Sequence, residues 1–293
     1  MNLFRRTVSK IIGVDQATND PDNIQIYYFT DPICSHCYVM EPVLTKLLLK
    51  YGHRIDYTVI MGGMLEKWDD FGDAANNIQQ AGDVYAHWRE VSLQTKMPIN
   101  GSVWLRDPIA SSYPASKVFN VAEEMYPDKK HRFLRRIREA AFVFDENISR
   151  HDVLADIADE MGFDSEELLR RAESKEGTDL LTKDLHTTGA MGVRSFPTMM
   201  IGREDEYEVI TGSVDYEVLE ATVLRYLGQT TPRPMPSVME LLKEHRRLYY
   251  RELEILYDLE PSRVDPFIKG QTDDRAEQVE FYDGYYLQYR EDK

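Results

Sequence analysis

Two cysteines three positions apart are the residues of this sequence best suited to chemistry. Cys34 and Cys37 are the only cysteines among 293 residues, too few for a disulfide-stapled fold. A cysteine attacks a disulfide as its thiolate, which helix N-termini and nearby cations stabilise. His36 stands between the two cysteines and supplies such a cation when protonated. The spacing favours thiol–disulfide exchange, with Cys34 attacking and Cys37 resolving the mixed disulfide.

Two other interpretations of the cysteine pair stay open. A zinc site needs further ligands, but no other cysteine exists and the seven histidines never occur at the His-x₃₋₅-His spacing. An inert buried pair is the second alternative. We therefore predict a redox dithiol, with no metal and no cofactor.

The residues around the cysteines form a strand, turn and helix pattern. Residues 23–29 favour a strand that ends at Thr30-Asp31-Pro32, and residues 43–51 are apolar at helical spacing. This places Cys34 where a strand meets a helix. Asp31 and Glu41 are interpreted as turn and cap residues rather than acid–base catalysts. A second strand is predicted over 55–61.

The rest of the pattern predicts a block of helices followed by two strands and a helix. Near the second pair of strands, Phe196-Pro197-Thr198 matches the loop that faces the dithiol in thioredoxin folds. We therefore predict a cis peptide at Pro197, with Phe196 and Thr198 binding substrate. The predicted helices are 73–93, 115–125, 129–143, 149–161, 164–172 with Asp164 as N-cap, 178–189 and 215–227, and the strands are 199–202 and 207–210.

This element order predicts an α/β protein with a thioredoxin fold that is split by a helical insertion. Three prolines in residues 230–236 mark a linker. Beyond it we predict one helical stretch over 237–259, a short helix after it and a tyrosine-rich hairpin. The predicted divisions are a tail (1–22), the thioredoxin domain (23–229) with its insertion (about 68–190), the linker and a small C-terminal module (237–293).

Charge and hydropathy narrow the possible partners and location. A formal net charge of −16 and a pI near 4.9 disfavour binding to nucleic acid or anionic membranes. The apolar run at residues 11–14 is too short for a secretory signal, and no segment approaches the ~20 apolar residues of a membrane span. We predict a cytoplasmic protein.

Four motifs in order resemble the DsbA family, specifically its FrnE-like branch of cytoplasmic dithiol-disulfide oxidoreductases. They are DPICSHCY (31–38), MGGM (61–64), SSYPAS (111–116) and GVRSFPT (192–198). The resemblance implies Cys34 as nucleophile, Cys37 as resolving thiol and Pro197 as the cis proline, with protein or small-molecule thiols and disulfides as partners. Ser35-His36 replaces the Pro-Trp pair that is frequent in the family.

The C-terminal segment carries a second resemblance. Residues 250–259 (YRELEILYDL) resemble the C-terminal module of the Spx-binding adaptors of the ClpXP protease, which implies a ClpXP-type protease and its regulator client as alternative partners. A DNA-binding helix-turn-helix in this segment is disfavoured by its acidic residues. Glutathione-dependent isomerisation, seen in related folds, is disfavoured because those enzymes lack the intact cysteine pair.

Overall fold

The computed structural model describes residues 22–70, 72–204, 206–282 and 284–291, so nearly all of the predicted N-terminal tail lies outside the described residues. The helices and strands are β1 (Ile24–Thr30), α1 (Ser35–Val39), α2 (Glu41–Tyr51), β2 (Ile55–Met61), α3 (Ala81–Thr95), α4 (Val103–Arg106), α5 (Tyr113–Met125), α6 (Lys130–Phe142), α7 (His151–Glu160), α8 (Ser165–Glu173), α9 (Lys175–Ala190), β3 (Thr198–Arg203), β4 (Glu206–Thr211), α10 (Tyr216–Leu227), α11 (Val238–His245), β5 (Arg247–Tyr249), α12 (Tyr250–Tyr257), α13 (Val264–Gln271), β6 (Ala276–Phe281) and β7 (Gly284–Tyr289).

The central sheet has the strand order β2-β1-β3-β4. Strand β1 runs parallel to β2 and antiparallel to β3, and β3 runs antiparallel to β4. Because Phe29 pairs with Thr198, the start of β3 lies beside the end of β1, where the dithiol turn begins. This sheet, with α3 to α9 inserted between β2 and β3, confirms the predicted thioredoxin fold with a helical insertion.

Aromatic packing attaches the insertion to the dithiol helix. Tyr38 of α1 is buried and stacks on Phe142 of α6 with ring centroids 4.7 Å apart. Trp88 of α3 packs against the same phenylalanine at 4.1 Å. Buried aromatic pairs of this kind stabilise beyond their area alone, by about 0.5–1.5 kcal/mol each. The insertion is therefore part of the core that supports α1.

The prediction of one helix over 73–93 is wrong in its first turns. Asp73 and Ile78 instead form an isolated antiparallel bridge, and α3 begins at Ala81 behind a capping box of Gln80 and Asp83. The Asp83 carboxylate accepts the backbone N–H groups of Gln79 and Gln80, just before the helix, which fixes its start there. A short helix, α4, also lies between the predicted helices 73–93 and 115–125, where no helix was predicted.

The predicted helical stretch over 237–259 is also wrong, because it is interrupted by a strand. Helix α11 ends at His245 and is capped by Arg246, which has a φ of 69°; β5 follows and pairs with β7. Glu252 then accepts the backbone N–H of Tyr249 at 2.8 Å at the start of α12. In the part of the module that the structure describes, there are three α-helices and a three-stranded sheet, β5-β7-β6, and the predicted hairpin corresponds to β6 and β7.

The C-terminal module is packed against the rest of the fold through buried polar contacts. Arg135 of α6 forms a buried ion pair with Glu252 of α12, and Lys46 of α2 donates to the Ile255 carbonyl at 2.9 Å. The predicted linker contains no helix or strand, and Arg233 within it donates its backbone N–H to the Lys50 carbonyl at 2.8 Å. Across the described ranges, no helix is both long and apolar enough to cross a bilayer.

Candidate redox site

Cys34 occupies the N-cap position of α1, as predicted. Its sulfur accepts the backbone N–H of Cys37 at 3.1 Å, and the two cysteines are joined as a disulfide with Cα atoms 5.2 Å apart. The Cys34 backbone N–H donates to the Asp31 carbonyl at 3.2 Å, which closes the turn. Only 2% of Cys34 and none of Cys37 is exposed. In the reduced state, the same N–H would donate to a Cys34 thiolate and favour it.

Asp31 holds the dithiol turn against two other segments. Its buried carboxylate accepts the backbone N–H of Ile33 at 3.1 Å and of Met64 at 2.7 Å, and the Ser112 hydroxyl at 2.9 Å. The predicted turn role is thus present, and the other bonds extend to the loop after β2 and the start of α5. Burial raises the pKa of Asp31, and these hydrogen bonds oppose the rise.

Glu41 is more than the cap residue predicted from the sequence. It opens α2 but is buried, and it pairs with Arg138 of α6 at 2.7 Å. Arg138 also donates to the Thr30 hydroxyl at the end of β1. Burial raises the pKa of Glu41 while the Arg138 charge lowers it. The sequence interpretation missed this pair because its members are 97 positions apart.

The Phe196–Pro197 peptide bond is cis, as predicted. The Phe196 ring occupies the space that a side chain at Gly62 would need, since a Cβ there would lie 2.0 Å from the ring. Thr198 is buried, and its hydroxyl donates to the Ser195 carbonyl at 2.8 Å. Phe196 lines the cleft beside Cys34, whereas Thr198 is engaged within the fold; the substrate-binding roles of both remain predictions.

A cleft of about 590 Å³ opens beside the disulfide. Cys34 and His36 line it from α1, and Phe196 lines it from the cis-proline loop. All three tryptophans of the sequence lie along its insertion side. This volume is within the range of small-ligand sites, and its walls are largely apolar. No three His, Cys, Asp or Glu side chains within the described ranges form a group that could hold a metal ion.

His87 of α3 is a site residue that the sequence interpretation missed. Its Nε2 lies 3.3 Å from the Ser35 hydroxyl, and its ring centroid lies 5.8 Å from that of His36. Burial lowers the pKa of both histidines, and the His36 charge lowers that of His87 further. Only the fold brings these residues together, across about 50 positions of sequence, so no local spacing could have indicated the pair.

Sequence comparison places the central region in a known family. A family model described as thioredoxin matches residues 27–221. The ClpXP adapter protein SpxH of Halalkalibacterium halodurans is 32% identical over 259 residues, which covers 87% of this chain and 85% of that protein. The protein of the same name from Bacillus subtilis is 28% identical over 84% of this chain and 82% of its own length.

Solved structures show the same fold at lower identity. A putative protein disulfide isomerase from Nitrosomonas europaea superimposes with a TM-score of 0.59 at 19% identity, covering 69% of this chain and 98% of that one. The cytosolic disulfide reductase DsbM from Pseudomonas aeruginosa superimposes with a TM-score of 0.56 at 20% identity, again covering 69% of this chain and 98% of that one. From the family model and the H. halodurans relative together, the chain belongs to the thioredoxin family and, within it, to the group of proteins that includes SpxH.

Proposed function

We propose that this protein is an adaptor that binds a regulator client, Spx, and promotes its degradation by a ClpXP-type protease. The observation that carries this proposal is the extent of the match to the SpxH relatives. The H. halodurans match covers 87% of the chain and leaves 13% outside it. Residues 237–293 make up a larger share, 57 of the 293 residues. The match therefore extends into the C-terminal module.

The C-terminal module supports the adaptor proposal beyond what the thioredoxin fold alone supports. The two disulfide-exchange structures above are themselves almost fully covered, yet they match only 69% of this chain. The thioredoxin fold with its helical insertion is therefore complete in proteins that are shorter than this chain. Since one fold hosts many functions, the additional region supports a role that those proteins do not require.

Reconstituted degradation tests the adaptor role. Purified ClpX and ClpP, with ATP and Spx, should degrade Spx faster when this protein is added. The matched controls are DsbM, which has the fold at 69% coverage, and the variant with both Cys34→Ser and Cys37→Ser. DsbM should not accelerate degradation, whereas the double variant should. An unchanged lifetime of Spx with the wild-type protein would overturn the proposal.

We further propose that the dithiol exchanges disulfides with protein or small-molecule thiols. The N-cap position of Cys34 and the apolar cleft beside it support this second role. Cys34 attacks a substrate disulfide, and Cys37 then attacks the mixed disulfide and releases the reduced product. Both proposed roles are consistent with the cytoplasmic location predicted from the sequence.

An insulin-reduction assay with dithiothreitol tests the exchange role. The wild-type protein should accelerate insulin precipitation, and Cys34→Ser should return the rate to that of dithiothreitol alone. Cys37→Ser should accumulate a mixed disulfide on Cys34, detectable by intact mass. A wild-type rate equal to the uncatalysed rate would refute exchange without affecting the adaptor proposal, which the cysteine-free variant tests separately.

A further inference from the structure

We propose that His36 and His87 form a two-imidazole site that holds a single proton beside Cys34, with His87 taking the proton over when His36 cannot hold it. The inference rests on the proposed exchange function and assigns to the helical insertion a residue that holds the proton used in that reaction. His36 belongs to the dithiol helix α1, whereas His87 comes from α3 on the opposite side of the cleft.

The geometry connects both imidazoles to the dithiol. The ring centroids lie 5.8 Å apart, and His87 Nε2 lies 3.3 Å from the hydroxyl of Ser35, the residue that follows Cys34. His36 is held from the other side by Ser213, whose hydroxyl lies 3.4 Å from His36 Nδ1. Both histidines and Cys34 line the same cleft. Each contact engages one ring nitrogen, Nε2 of His87 and Nδ1 of His36, and both rings border the cleft that Cys34 also lines.

Like-charge repulsion makes the pair a site for one proton. Two imidazolium rings at this separation repel each other, so the second protonation is strongly disfavoured. The charged groups that face the pair are Asp73 before α3 and Glu90 on α3, which favour a proton on His87, and Arg194 on the far side of the cleft. If His36 is removed, the repulsion disappears and the His87 pKa must rise.

This proton has a defined place in the exchange step. The Cys34 thiolate attacks one sulfur of a substrate disulfide, a new sulfur–sulfur bond forms to Cys34, and the substrate bond breaks. The electron pair leaves with the second substrate sulfur, which takes the proton from the imidazole pair and departs as a thiol. Cys37 then gives its proton to the emptied imidazole pair and, as a thiolate, displaces the bound sulfur. That sulfur leaves with the electron pair, takes the proton and departs as the second thiol, so the intramolecular disulfide forms and two electrons pass to the substrate.

A double-mutant cycle on Cys34 alkylation tests the shared proton. The rate of reaction of the reduced protein with iodoacetamide is measured against pH for wild type, His36→Gln, His87→Gln and the double variant. When His87→Gln is added to the His36→Gln variant, the pH midpoint of Cys34 alkylation should rise by about one pH unit. The same substitution in the wild-type protein should raise that midpoint clearly less. His186→Gln, on the exposed part of α9, is the matched control and should change neither background.

Each outcome has a distinct meaning. Equal shifts from His87→Gln in both backgrounds, or no shift in either, would overturn the shared proton while leaving exchange intact. A wild-type midpoint near the free thiol value of about 8.5, together with no insulin reduction, would instead refute the exchange function itself. NMR titration of the ring protons gives an independent readout: the His87 titration must move to higher pH in His36→Gln.

Discussion

Replacing Arg135 with methionine is expected to lower the free energy of unfolding by about 3–5 kcal/mol at pH 7. Arg135 is 8% exposed, and its guanidinium pairs with Glu252, of which 2% is exposed, and with Glu139, of which 1% is exposed. It also donates to the Arg247 carbonyl at 3.1 Å. Methionine fills a similar space but leaves the buried Glu252 carboxylate without its cation and Glu139 with Arg247 alone, at 3.3 Å, and an unpaired buried charge is costly.

The loss of stability in Arg135→Met should depend on pH, because the substitution changes the pKa of Glu139. Burial raises the pKa of Glu139, and the Arg135 charge opposes that rise. Without Arg135, the folded-state pKa of Glu139 rises further above its unfolded value, so the variant's stability is lost as pH rises through that folded value. The difference in unfolding free energy between wild type and Arg135→Met should therefore be largest at pH 7 and become smaller toward pH 5.

Urea unfolding followed by circular dichroism at pH 7 and pH 5 measures both effects. Lys175→Met is the matched control, because Lys175 pairs with Asp179 at 2.5 Å while their side chains are 86% and 61% exposed. That change should leave the urea midpoint almost unaltered. A loss below about 1 kcal/mol for Arg135→Met, or a loss of the same size at both pH values, would refute the buried-pair account.

Three further predictions follow from buried contacts. Burial raises the pKa of Asp184 to about 7 from 3.8, so wild-type stability is lost as pH rises through 7. Asp184→Asn should raise the melting temperature at pH 8 and not at pH 4, and an equal effect at both would contradict this. Gly62→Ala places a Cβ 2.0 Å from a Phe196 ring atom and should slow insulin reduction by displacing that ring; an unchanged rate would contradict the contact. Ser112→Ala removes a 2.9 Å hydrogen bond to the buried Asp31 carboxylate and should cost about 1–3 kcal/mol in urea unfolding, whereas no loss would show that the bond adds nothing.

Features set by neighbouring residues could be predicted from the sequence. Asp164 accepts the backbone N–H of Glu167 at 3.0 Å, as its N-cap prediction requires, and Cys34 caps α1. Both depend on contacts within one helical turn, where residue type and spacing carry the information. The cis proline at Pro197 could be predicted only from the wider pattern, because the strand after it and the dithiol far upstream together match a thioredoxin fold.

Features that depend on distant partners could not be predicted in the same way. The segment 237–259 has helical periodicity throughout, yet Leu248 pairs with Leu287 of β7 and becomes part of a strand. Tertiary pairing overrides local propensity in such segments. His87 reaches Ser35 across 52 positions, and a single sequence gives no sign of that approach.

Helix α6 connects the two regions on which the proposed functions depend. On one turn Arg135 pairs with Glu252 of the C-terminal module, and on the next Arg138 pairs with Glu41 and donates to Thr30 beside the dithiol turn. Deleting residues 237–293 would therefore leave Arg135 without its Glu252 partner and perturb the helix that supports the redox site. Loss of exchange in such a truncation would not show that the module takes part in exchange. Point substitutions are needed to separate the two roles. Substitutions of the cysteine pair test exchange, and substitutions at exposed positions of the module test client delivery.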